Sequence, residues 1–213
     1  MNDYYDPPLR PGRPPTRNRE HILATAMNAY WQDDCATVSV NNICTLAGVS
    51  KPSLYREFGS EDGLTAAVLE RYSQAVLKPL ETLLSSPTGY TTKLDGLISF
   101  ASENPSMETG CLFVKMRASR SRFGAQTKAS IAAIEAHMLE CYASFFQHAI
   151  SSGDMRSGIP AEVAAPYLYE QMGLSVSQRA AGRSQAEVRD LLELSISVLR
   201  SSLPPVINHI RHQ

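Results

Sequence analysis

The stretch VSVNNICTLAGVSKPSLYREFGS, residues 38–60, decides how this chain is read. Two short segments of helical periodicity meet at Ala47, Gly48, Val49 and Ser50. In the first, Val40, Ile43, Cys44 and Ala47 share a face, and Ser39 stands before them as an N-cap whose hydroxyl can accept an orphan backbone N–H. Gly48 supplies a left-handed turn, the conformation a residue without Cβ adopts most cheaply. Ser50 caps the second segment, Lys51 to Phe58, where Pro52 sits in the first turn and gives up no needed hydrogen bond. Leu54, Tyr55 and Phe58 give that segment its inward side.

A short Gly-containing turn that holds two helices at a steep angle is what a helix-turn-helix requires. The second helix can then enter the major groove while the first braces across the backbone. Lys51 suits a phosphate, Ser53 a phosphate or a base edge, Tyr55 a phosphate through its hydroxyl, and Arg56 either task, with Pro52 shaping the same turn. Ser39, Asn41 and Asn42 lie at the start of the preceding helix, where backbone N–H groups favour a phosphate. A plain helical hairpin with a polar outer face shares this spacing, and spacing alone leaves both readings open.

Outward from this stretch, Ile22, Leu23, Ala26, Ala29 and Tyr30 predict a helix from Arg17 to about Trp31. After Gly59, Ser60 caps a longer helix with Glu61 and Asp62 in its dipole-favoured first turn, followed by Leu64, Ala67, Val68, Arg71 and Tyr72. Pro79 is expected to kink or end this element before SSPTG. Further helices are expected over 90–102, 111–120, 124–152, 161–180 and 185–202, and no alternating strand pattern appears. The fold class is all-α. Residues 1–16 hold five of the thirteen prolines and read as a flexible Pro/Arg-rich arm.

Composition narrows the function. A hydrophobic share of 43% and a charged share of 19% belong to a globular chain, and a net charge of -1 leaves any nucleic-acid role to local patches. The first twenty residues are polar and no apolar run approaches a membrane span, so a cytoplasmic protein with no membrane partner is expected. Cys35, Cys44, Cys111 and Cys141 form no C-x-x-C pair and are expected to be reduced, buried thiols. There is no phosphate loop, nucleophile elbow or metal triad, so neither catalysis nor a cofactor is expected.

Residues 17–72 resemble the DNA-binding domain of TetR-family transcriptional regulators, chiefly through ICTLAGVSKPSLYREF followed by GSEDGL. The resemblance implies a homodimer whose subunits each present an N-terminal three-helix helix-turn-helix domain to one half of a palindromic double-stranded DNA operator. It also implies a larger helical domain for effector binding and dimerisation. The expected organisation is an arm over 1–16, a DNA-binding domain over 17–72 and an effector and dimerisation domain over 73–213. The function implied is a repressor released by a small-molecule effector; an activator of the same fold and a helical protein-interaction module are the alternatives. Many family members carry Lys where this chain has Glu61, so the phosphate contact there is weaker or supplied elsewhere. Arg13, in PGRPP with Arg10, Arg17 and Arg19 nearby, is a candidate minor-groove contact, against the alternative of a solubilising tail.

In the second region Phe100, Cys111, Phe113, Met116, Met138, Tyr142, Phe145, Tyr169 and Met172 are candidate effector contacts, although most such residues simply form core. Cys111 opens an expected helix whose dipole would lower a thiol pKa, against the alternative of a small structural Cys. Lys115, Arg117, Arg120 and Arg122 read as a solvated helix face or an anion-attracting cluster. His137 and Cys141 can share a helix face as two metal ligands would, but the sequence shows no third ligand, and ordinary packing with no metal is expected. Ala164, Tyr167, Leu168, Gln171, Met172 and Ser175, with Val188, Leu191, Leu192, Ser195, Val198, Leu199 and Ser202, suit a four-helix dimer interface or burial within the monomer.

Overall fold

The computed structural model describes residues 15–33, 37–155 and 158–200, with side chains from Asn18 onward, and among these residues the regular structure is helical with no strand. The first four helices are α1 (Pro15–Gln32), α2 (Val40–Ala47), α3 (Lys51–Phe58) and α4 (Glu61–Tyr72). Local chemistry sets their bounds. Ser39, Ser50 and Ser60 each turn a hydroxyl onto the backbone N–H three residues on, at 3.2, 3.3 and 3.0 Å. Gly48, at φ +62°, donates its N–H back to the end of α2 and swings the chain into α3. Helix α1 packs on both α2 and α4, and Ile22, Ala26, Ile43, Leu54, Leu64 and Val68 are wholly enclosed.

Pro79 does not end the helical run, contrary to one of the two expected outcomes. Helix α4 runs into a π turn over Ser73–Leu77, in which the Lys78 N–H reaches back five residues to the Ser73 carbonyl, and on into α5 (Lys78–Ser85). Pro79 lies in the first turn of α5, where the widened turn accommodates its ring and its missing N–H.

The remaining helices are α6 (Tyr90–Glu103), α7 (Leu112–Ala118), α8 (Ala125–Ser151), α9 (Ala161–Ala180) and α10 (Gln185–Arg200). Helix α7 is shorter than the expected 111–120, because Arg120–Arg122 tighten into a separate 3-10 turn. Helix α8 lies against α9 and α4, α5 packs on α6 and α8, and α10 covers α6 and α9. No described helix is long and apolar enough to cross a membrane.

Two junctions join the first four helices to the rest. The Asp62 carboxylate accepts the Gln126 and Thr127 backbone N–H groups at 2.8 and 3.2 Å, so one side chain in the first turn of α4 also caps α8. Gly124 makes room for it, since a Cβ there would lie 2.5 Å from that carboxyl group. At the other junction, Trp31 Nε1 donates to the Gly110 carbonyl and Lys115 Nζ donates to the Trp31 carbonyl, both at 2.7 Å. The Trp31 ring meets Tyr72 edge-on at 4.9 Å.

The stripes expected to pair across a dimer are largely spent inside the protomer. Ala164, Leu168, Met172, Ser175, Val188, Leu192 and Leu199 are buried, because α9 and α10 turn those faces onto α6, α8 and each other. Ser202 lies outside the described residues. The opposite faces leave Val163 and Leu174 of α9 and Leu191 and Leu194 of α10 exposed.

Candidate DNA-reading helix and effector cavity

Helix α3 stands on one buried anchor, Leu54, and presents Lys51, Pro52 and Arg56 to solvent, with Ser53 and Tyr55 part-exposed beside them. These side chains hold one another in place. Arg56 Nη2 donates to Ser53 Oγ at 3.2 Å, and Lys51 Nζ lies 5.7 Å from the centre of the Tyr55 ring. Phe58 is half-buried under the Arg19 guanidinium, 5.1 Å from its ring centre. Ser39, Asn41 and Asn42 are exposed at the start of α2. Glu61 is exposed at the start of α4, and Arg13 lies outside the described residues.

Behind this unit an almost wholly apolar cavity of about 50 Å³ lies between the helices that follow α4. Phe100, Cys111, Phe113, Met138, Tyr142, Tyr169 and Met172 line it, as the sequence suggested. Met116 and Phe145 do not. Met116 is sealed into the core, and Phe145 turns away to stack on Tyr90, ring centres 5.3 Å apart. Leu77, from the π turn, and Leu80, from α5, also line the cavity. Periodicity could not place them there, because it shows which residues are buried and not which void they border.

The Tyr169 hydroxyl is buried and has no hydrogen-bond partner. Arg117 lies over its ring, 4.8 Å from the centroid, near enough to offset part of the effect of burial but out of line for a hydrogen bond. Burial still pushes the Tyr169 phenol up to about 12. Arg117 itself is bound to Glu170 through two bonds of 2.9 and 2.8 Å and to Glu135 at 3.2 Å. The expected solvated basic face is thus divided: Arg117 and Lys115 are part-buried and bonded, whereas Arg120 and Arg122 are exposed.

Cys111 is buried, as the small structural Cys set against a reactive one would be. It caps α7, but burial pushes its thiol up, outweighing the hydrogen bond from Tyr72, whose hydroxyl donates to Sγ at 3.1 Å. Of the other thiols Cys44 is buried, Cys141 is only half-buried, and Cys35 lies outside the described residues.

A Gly-turned helix pair whose second helix is capped and carries cations on its outer face has the architecture of a helix-turn-helix. Over residues 22–68 this chain matches the tetR family of bacterial regulatory proteins. It is 38% identical over 61 residues to the HTH-type transcriptional repressor ComR of Escherichia coli, 29% of each chain. It is 31% identical over 101 residues to the repressor BdcR of the same organism, 47% of this chain and 51% of the other. The regulator EthR of Mycobacterium tuberculosis is 34% identical over 79 residues, 37% of each. The chain therefore spans about half, or less, of the curated relatives it matches. Two solved structures share the fold over 88% of this chain and the whole of theirs. They are reduced NemR of Escherichia coli, at TM-score 0.74 and 21% identity, and a TetR-family regulator of Agrobacterium tumefaciens, at 0.78 and 13%.

Proposed function

We propose that the chain is a cytoplasmic, homodimeric repressor that reads a palindromic operator with α3 and leaves it when a small molecule enters the cavity behind α4. Residues 17–72 would read DNA, 73–213 would bind effector and dimerise, and 1–16 would form an arm at the DNA. The observation that carries the reading is the outer face of α3, where Lys51, Ser53, Tyr55 and Arg56 sit together over a single buried anchor. Ser39, Asn41 and Asn42 would hold the flanking phosphates. No residue is assigned a catalytic role.

The cavity suggests how release works. At about 50 Å³ it is smaller than the roughly 150 Å³ that admits a benzene ring, so an effector must part the surrounding helices. Leu77 and Leu80 lie on the segment that continues α4, so a ligand that displaced them would shift α4 and the spacing of the two recognition helices. An uncharged, apolar molecule with one polar atom for the Tyr169 hydroxyl fits the lining, since Arg117 is already bound to carboxylates.

Footprinting on the intergenic DNA beside its own gene, with Tyr55→Phe and Arg56→Ala alongside the natural chain, tests the reading. Arg56→Ala should weaken operator binding about 5- to 150-fold, the range of a lost base contact. Natural affinity in both folded variants would exclude α3 as the reader.

A further inference from the structure

The structure assigns a transition-metal site, best matched to Zn²⁺, to Glu81 of α5 and His137 and Cys141 of α8, in a groove separate from the effector cavity. One ligand atom from each residue lies within 4.8 Å of the other two. His137 Nε2 is 3.2 Å from Glu81 Oε1 and 3.8 Å from Cys141 Sγ. A tetrahedral zinc with bonds of about 2.0 Å to nitrogen, 2.1 Å to oxygen and 2.3 Å to sulfur sets N–O and N–S edges of about 3.3 and 3.5 Å. The two edges at His137 are therefore within a few tenths of an ångström of a bound geometry, and the third, from Glu81 to Cys141, lies within 4.8 Å where about 3.6 Å is needed, so rotamer shifts must close that edge.

The sequence shows His137 and Cys141 one helical turn apart; the third ligand comes from another helix, brought in where α5 packs on α8. The surroundings suit a borderline cation. Lys78 Nζ occupies the other Glu81 oxygen at 2.7 Å, leaving Oε1 for the metal, and Lys78 is exposed enough to swing away. Glu140 and His148 line the same groove, whose volume is about 620 Å³, so a fourth coordination position is open to water or a small anion. Lys93 also lines it but is held by the Leu84 carbonyl at 2.8 Å. Cys141 would bind as its thiolate, its proton released as the metal binds. A soft thiolate with imidazole and carboxylate excludes Mg²⁺ and Ca²⁺ and fits Zn²⁺, with Co²⁺ as its spectroscopic stand-in. The bound ion would pin α5 to α8, on the segment that runs on from α4.

The test is titration of chelator-treated full-length protein with Co²⁺, followed by displacement with Zn²⁺. One Co²⁺ per chain should give a thiolate-to-cobalt charge-transfer band with ligand-field bands of tetrahedral strength, all lost on adding Zn²⁺. Cys141→Ser should abolish the charge-transfer band. Glu81→Gln and His137→Ala should weaken Co²⁺ binding at least 10-fold, the usual effect of losing a ligand or its support. All three side chains are on or near the surface, and circular dichroism checks that each variant stays folded. No thiolate band at one equivalent, or a band that persists in Cys141→Ser, overturns the assignment. Neither result bears on whether α3 reads DNA.

Discussion

Asp62 shows what one side chain can settle. Its carboxylate begins α4 and ends in the N-terminal turn of α8, the natural place for negative charge. Burial works against the charge, but hydrogen bonds from the Thr127 side chain and from the Gln126, Thr127 and Gly124 backbone outweigh it, and its pKa lies below the ordinary 3.8. A carboxyl group depressed in the folded state contributes stability that is complete above its unfolded pKa and lost as pH falls through the folded value. Asp62→Ala should therefore cost about 1 kcal/mol at neutral pH, as a lost cap does. The gap between variant and natural chain should narrow as the pH is lowered below about 4, where both lack the charge. Urea melts across pH 2.5 to 7 would show this; a gap that stays constant would mean that the negative charge is not what matters. The other depressed carboxylates, Glu81, Glu103, Glu170 and Glu187, are common to both proteins and cancel in the difference.

Among the elements, what was legible in the sequence was whatever a few neighbouring residues decide. Ser39, Ser50 and Ser60 bond within three residues of themselves, and Gly48 and Gly59 set their turns alone, so α2 and α3 begin and end, and α4 begins, where the sequence places them. What stayed hidden depends on partners far along the chain. The rise in the Cys111 pKa comes from burial beside Tyr72, 39 residues earlier, and the third metal ligand comes from a different helix. Pro79 does not stop the helix because a π turn, which periodicity does not announce, comes just before it. The strut between α1 and α7 is the extreme case, since Trp31 and Gly110 are 79 residues apart. Trp31→Phe keeps the ring on Tyr72 but leaves the buried Gly110 carbonyl unpaired, a loss of roughly 1–3 kcal/mol. Lys115→Met removes the return bond to the Trp31 carbonyl. Because the two bonds brace one junction, the double variant should lose less than the sum of the singles in chemical denaturation; strict additivity would show that the two bonds act independently.

For the whole molecule, the α9 and α10 faces left uncovered matter more than those the sequence emphasised. Leu174 is 51% exposed and Leu194 71%, and Val163 and Leu191 extend the same strips. Tyr167 joins the two helices through its hydroxyl on the Ser195 carbonyl at 2.6 Å. Such a surface on a lone protomer marks an interface, and two copies related by a two-fold axis would bury it in a four-helix seam. The buried Leu192, Ile196 and Leu199 hold α10 against its own protomer and fix the angle at which the seam is offered. Leu194→Glu combined with Leu174→Glu places two carboxylates per chain at that seam, on positions half or more exposed in the protomer. Sedimentation should report a dimer for the natural chain and a monomer for the double variant, with helix content unchanged. Operator affinity should fall about 100-fold or more, because each half-site would be bound without the other. A double variant that still sedimented as a dimer would place the seam on another face.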